Sequence, residues 1–131
     1  GWHASAVDLS GSNSTIEKMS WLDLTGSGRP QLVVETLESV NAQLWTHLWV
    51  FAVPGGRLVP LADCATGYDG MYSGFTRDRV VKVLDPELTR ATRGKAFVFH
   101  TTTYFRDNRP LRPPETVVES VPFSPDRLRR D

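Results

Sequence analysis

The chain is poor in several features that define large functional classes. It holds one cysteine, Cys64, in 131 residues. An intramolecular disulfide is therefore impossible, and a cysteine-rich metal centre is excluded. Cys64 reads as a small, partly buried residue beside a loop. There is no excess of charge: fifteen Lys and Arg stand against fifteen Asp and Glu. Nucleic acid as a main partner needs a basic face, so that class is set aside. Lysine is scarce, with only Lys18, Lys82 and Lys95. No run approaches the roughly 20 apolar residues of a membrane-spanning helix. No segment keeps a helical period over several turns. The chain begins Gly1-Trp2 rather than with methionine, as expected of a processed or trimmed product.

Signals for catalysis are also sparse. The histidines are His3, His47 and His100. A zinc site needs three or four converging ligands, and no short-spaced pair supplies a start. His47 and His100 could meet only across strands, with Asp69 or Glu35. There is no Gly-x-Ser-x-Gly elbow and no phosphate-binding glycine loop before a helix. Cys64 with a histidine, or a carboxylate pair drawn from Glu35, Glu38, Asp63 and Asp69, remain the arrangements an enzyme would use. The reading is a protein without catalytic residues, metal ligands or cofactor.

What the chain does have is material for a β-sheet core. It is 40% hydrophobic and 10% aromatic, which suits one compact domain over residues 1–123, followed by a polar, arginine-rich tail at 124–131. Runs rich in Val, Thr, Phe, Tyr and Trp predict strands at Ile16–Leu22, Gln31–Leu37, Leu44–Val53, Arg57–Ala62, Arg79–Leu84, Lys95–Phe105 and Thr116–Phe123. Leu44–Val53 is apolar on both alternating faces, as in a central, covered strand. Pro54-Gly55-Gly56 marks a turn. Asp85-Pro86 starts a helical turn, with Asp85 as cap and Pro86 in the first position. Asn108–Pro114 is too proline-rich for a central strand and reads as a solvated loop. The expected fold is all-β and antiparallel: a sandwich, barrel or blade-like sheet of about seven to eight strands.

One segment points to a family. Asp23-Leu24-Thr25-Gly26-Ser27-Gly28-Arg29-Pro30-Gln31 is a glycine-bent polar loop feeding the apolar run Leu32-Val33-Val34. With Met19–Leu22 before it, and Leu48–Phe51 and Pro54-Gly55-Gly56 after it, the stretch Lys18–Leu61 resembles one repeat of the FG-GAP/VCBS group, the blade unit of integrin-like propellers. Family members carry a calcium loop here. The resemblance places its ligand positions at Asp23, Thr25, Ser27 and Gln31. Calcium prefers six to eight oxygens with several carboxylates, and only Asp23 supplies one. The expectation is a degenerate calcium loop kept as a turn, with Gly26 and Gly28 at positive φ and the polar side chains bonding the loop to itself. Such repeats are common in secreted and cell-surface proteins, so the resemblance implies an extracytoplasmic location, periplasmic or secreted.

The segment Asp63–Gly74 holds Gly67, Gly70 and Gly74 among aromatics and reads as a surface loop. Aromatics and Met on such a loop match the residue types of interface hot spots. Tyr68, Asp69, Met71, Tyr72 and Phe75 are thus the predicted protein-binding residues, the alternative being a lid folded over the sheet. The functional expectation is a non-catalytic binding or structural module with a protein partner, an accessory subunit of a larger assembly. The competitors are a small inhibitor or immunity protein that blocks an enzyme cleft, and a small hydrolase.

Overall fold

The computed structural model describes residues 14–40, 43–72 and 76–123. Among the described residues seven strands form one antiparallel sheet in chain order: β1 (Ser14–Leu22), β2 (Gln31–Val40), β3 (Gln43–Ala52), β4 (Val59–Tyr72), β5 (Thr76–Leu84), β6 (Ala96–Arg106) and β7 (Arg109–Pro122). A short helix, α1 (Pro86–Ala91), joins β5 to β6. The all-β expectation holds, in the form of a single open meander. Among the described residues no helix is long and apolar enough to cross a membrane. Phe75 and the 124–131 tail lie outside the described residues.

Two predictions are corrected. From Asp63 to Tyr72 the supposed loop Asp63–Gly74 is strand β4, paired with β3 on one side and, from Gly67, with β5 on the other; residues 73 and 74 lie outside the described residues. Gly67 and Gly70 mark close packing rather than a bend. A Cβ at Gly67 would stand 2.6 Å from Thr46 Oγ1 and 3.1 Å from the Val80 carbonyl oxygen, so only glycine lets the three strands meet there. The second correction concerns Asn108–Pro114, which enters β7 from Arg109 onward. This strand is the sheet edge, where a proline lacking its N–H costs no ladder hydrogen bond. The preceding turn, Asp107-Asn108, has positive φ at both residues (50° and 66°), as two-residue hairpins favour. It is anchored to β5, with Asp107 N–H donating to Asp78 Oδ1 and Asn108 N–H to the Arg77 carbonyl.

The core gathers Val33 of β2, Leu48 and Val50 of β3, Ala62 and Cys64 of β4, and Phe97 and Phe99 of β6, with Leu24 from the β1–β2 loop. Cys64 is therefore a core side chain, not a loop residue. The pairing explains how β6 reaches β3. Strand β5 pairs only with the Gly67–Tyr72 part of β4, which leaves Val59–Thr66 paired on the β3 side alone. There the two halves of the sheet part, and the phenylalanines of β6 close onto β2–β4. Each fully buried Phe, Leu or Val contributes about 1.5–3 kcal/mol.

Helix α1 locks this closure. Asp85 is its N-cap and accepts from Leu88 N–H at 2.9 Å, with Pro86 opening the helix as predicted. Thr89 is fully buried, and its hydroxyl accepts the Val98 N–H at 3.0 Å. The Asp85 N–H donates to the Val98 carbonyl at 2.9 Å. These bonds fasten the β5–β6 connection onto β6.

Candidate functional site

The end of β3–β5 farthest from the core carries the predicted binding residues that the structure describes. Trp45 and Tyr68 are opposite one another in the β3–β4 register, and their rings pack at 4.4 Å with a 55° tilt. Trp45 remains 37% exposed. Tyr68 lies along its own strand over Gly70: a Cβ there would stand 2.6 Å from the tyrosine oxygen. The second glycine of the segment thus makes room for the ring.

Leu44, Asp69 and Arg79 form the adjacent register row, which a strand's alternation puts on the opposite face. Asp69 receives both ends of the Arg77 guanidinium, Nε at 3.3 Å and Nη2 at 3.4 Å, and Arg79 Nε stands 3.9 Å away. The same guanidiniums cover aromatic rings, Arg77 over Phe105 at 4.3 Å and Arg79 over Tyr104 at 4.8 Å. The ion pairs are half exposed and add little stability by themselves. Their effect is to hold two arginines in fixed poses over aromatic surface. Met71 and Tyr72 are opposite Arg77 and Thr76 in the β4–β5 register. The structure thus places Tyr68 with Trp45 on one face, and Asp69 with Arg77, Arg79, Tyr104 and Phe105 on the other. Arg77 and Arg79 escaped the sequence reading, although their two-residue spacing already put both on one side of a strand.

A second cluster lies on the Trp45 face, nearer the core. His47 Nε2 is 2.5 Å from Asp63 Oδ2, and Asp63 is only 2% exposed. The His47 ring packs on Trp49 at 4.4 Å, and Trp49 Nε1–H donates to Thr36 Oγ1 at 2.9 Å. Asp63 Oδ1 is buried and accepts no hydrogen bond among the described residues. An aspartate that orients a histidine is half of a general-base arrangement. The other half is a nucleophile within reach of the histidine. Cys64 belongs to the neighbouring register row with Leu48 and faces the core, while Thr36 already accepts the Trp49 N–H.

His100 belongs to a different site. It bonds Asp85 Oδ2 at 2.8 Å and lies on β6, with β4 and β5 between it and the strand of His47. The Asp85 carboxyl is held below its ordinary value, first by the Leu88 N–H and then by His100. Glu119 is likewise lowered, first by Lys82, whose ammonium is 2.6 Å away, and then by the Thr101 hydroxyl. The structure therefore does not join the two histidines in one centre. Among the described residues no group of three or more His, Cys, Asp and Glu side chains converges on a common point.

The Asp23 loop spends its oxygens on itself. Asp23 Oδ1 accepts the Gly26 N–H and Oδ2 the Gly28 N–H, both at 2.9 Å. Gln31 is buried. Its Oε1 accepts the Leu24 N–H at 2.6 Å, and its Nε2 donates to Thr25 Oγ1 and the Arg29 carbonyl. Ser27 Oγ accepts from Thr25 Oγ1 at 3.0 Å. Gly26 and Gly28 have φ of 75° and 82°, where a side chain would be strained. Desolvation pushes the Asp23 carboxyl up, but the Gly28 and Gly26 N–H groups outweigh it and leave it below its usual value. These are the bonds of a self-supporting turn, and they hand Leu24 to the core. Scanned against protein-family models, curated proteins and solved structures, the chain matches none of them.

Proposed function

We propose that this chain is a non-catalytic binding module, an accessory subunit of a larger assembly outside the cytoplasm, which meets a protein partner through the far end of β3, β4 and β5. The observation that carries the reading is the tilted Trp45–Tyr68 ring pair on one face of this end, backed by the Asp69–Arg77–Arg79 cluster on the other. Trp, Tyr and Arg are the residues most enriched where binding energy concentrates. Here they are held in place by ring contacts and ion pairs before any partner arrives, which lowers the entropy lost on binding. The resemblance of Lys18–Leu61 to a blade repeat supports the extracytoplasmic part of the reading. The β1–β4 meander, with the Asp23 loop in its first turn, is the strand order such a repeat implies.

Native purification of the full chain, with mass spectrometry of what co-elutes, tests the proposal. A protein that co-elutes in fixed ratio with the wild type, and is lost from Trp45→Ala/Tyr68→Ala, is the expected result. The same co-eluting set with both chains would contradict it. If the captured protein is a hydrolase whose activity falls on binding, the module is an inhibitor or immunity protein acting through this surface. A second reading, a small hydrolase, draws on the His47–Asp63 pair. It requires turnover of an ester, amide or glycoside that His47→Ala abolishes while the fold stays intact.

A further inference from the structure

The face of β3 opposite Trp45 and His47 carries a cleft of about 340 Å³, and every residue that lines it is among the described residues. Lys18 of β1, Glu35 of β2 and Leu48 of β3 form one register row across it. The floor is apolar, with Leu22, Val33 and Leu48, and β5 supplies the other wall with Lys82 and Leu84. Lys18 and Glu35 are opposite one another, where unlike charges are close enough to pair. Among the described residues, however, neither side chain has a hydrogen-bond or ion-pair partner. The other charges of the lining are already bonded. Lys82 Nζ is 2.6 Å from Glu119 Oε2, and Glu17 Oε1 accepts the Thr15 hydroxyl at 3.0 Å. The Thr66 hydroxyl donates to Thr46 Oγ1 at 3.0 Å, which leaves the Thr46 hydrogen for another acceptor.

We propose that this cleft binds a free amino acid with an apolar side chain. Its volume is near the low end of small-molecule sites, which run roughly 300–1,000 Å³, and suits a body of that size rather than a lipid. The apolar floor takes the side chain out of water, which drives binding. The Lys18 ammonium takes the α-carboxylate, with the Thr46 hydroxyl as a second donor, and the Glu35 carboxylate takes the α-ammonium. A ligand with a single charge would leave one of these two groups unanswered. A molecule with both signs a few atoms apart answers both, since Cβ atoms at directly opposed positions are about 4.5–5.5 Å apart. An exposed ion pair between Lys18 and Glu35 would be weak, so the ligand displaces little. This site is independent of the partner surface at Trp45 and Tyr68, which lies on the opposite face of β3.

Titration of the full chain with L-leucine and L-phenylalanine, read by calorimetry and by ligand-observed NMR, tests the assignment. Both are expected to bind with micromolar to submillimolar dissociation constants, as ligands of so few atoms allow. N-acetyl-L-leucine lacks the ammonium and L-leucinamide lacks the carboxylate. Each should bind about tenfold or more weakly than L-leucine. Glu35→Gln should weaken L-leucine by a similar factor and leave N-acetyl-L-leucine unchanged or tighter. Lys18→Gln should weaken L-leucine and leave L-leucinamide unchanged or tighter. Lys18 is exposed and Glu35 only half-buried, so circular dichroism and the thermal midpoint should match wild type in both variants. No binding of either amino acid up to about 10 mM overturns the proposal. So does binding that either single-charge probe equals, or that either substitution leaves intact.

Discussion

At the scale of single residues, the chain turns on what occupies crowded or buried positions. Gly67 sits where a methyl group would collide with Thr46 Oγ1 and approach the Val80 carbonyl. Gly67→Ala should therefore destabilise the fold by about 1–3 kcal/mol, read from urea denaturation. An unchanged midpoint would return this segment to a loop. Thr89 makes a complementary case. Thr89→Val keeps the shape but leaves the buried Val98 N–H without its acceptor, at an expected cost of about 1–3 kcal/mol in the same assay. Neither role was legible in the sequence. Glycine among aromatics reads as a turn, because the same lack of a Cβ serves both a bend and a close approach. Thr89, inside a polar helical turn, gives no sign of its burial. The Asp23 loop was legible, since its glycines and short polar side chains have few other uses in that order.

At the scale of elements, the strands that sequence found best are those with ordinary composition. Strand β3 was read to within about one residue, because apolar side chains on both faces leave few alternatives. Strand β7 was half missed, because proline excludes a central strand but not an edge. The cap of α1 was read correctly, since Asp-Pro carries both its signals. Three elements are tied by carboxylates held below their ordinary values: Asp23 in the β1–β2 loop, Asp85 at the α1 cap, and Glu119 between β5, β6 and β7. A folded-state value below the unfolded one means a contribution that is complete above the unfolded pKa and is lost as pH falls through the folded one. Their unfolded values lie near 3.8 for the aspartates and 4.5 for the glutamate. The urea midpoint should thus fall as pH drops below about 4. Asp23→Asn/Asp85→Asn/Glu119→Gln should flatten that fall, and an equally steep loss in the triple variant would assign acid sensitivity to other groups.

At the scale of the whole molecule, the sheet is continuous at one end and divided at the other. Where β4 pairs on both sides, through Gly67–Gly70, the sheet end carries the packed Trp45–Tyr68 rings on one face and the fixed arginines on the other. Where it pairs on one side only, the halves part and close on the core phenylalanines. Phe99→Ala should cost about 3–5 kcal/mol, because Phe99 joins the two halves. By the same division of labour, changes at this sheet end should alter binding and leave stability nearly untouched. The sequence reading named part of that end, Tyr68 and Asp69, by residue type alone. It could not add the rest, because Trp45, Arg77 and Phe105 come from three other strands and reach Tyr68 and Asp69 only through pairing. The most direct test sets thermal melting beside partner retention for Trp45→Ala/Tyr68→Ala. The account predicts a melting midpoint close to wild type and loss of the co-purifying protein. A chain that unfolds at much lower temperature, or that keeps the same partner, would contradict it.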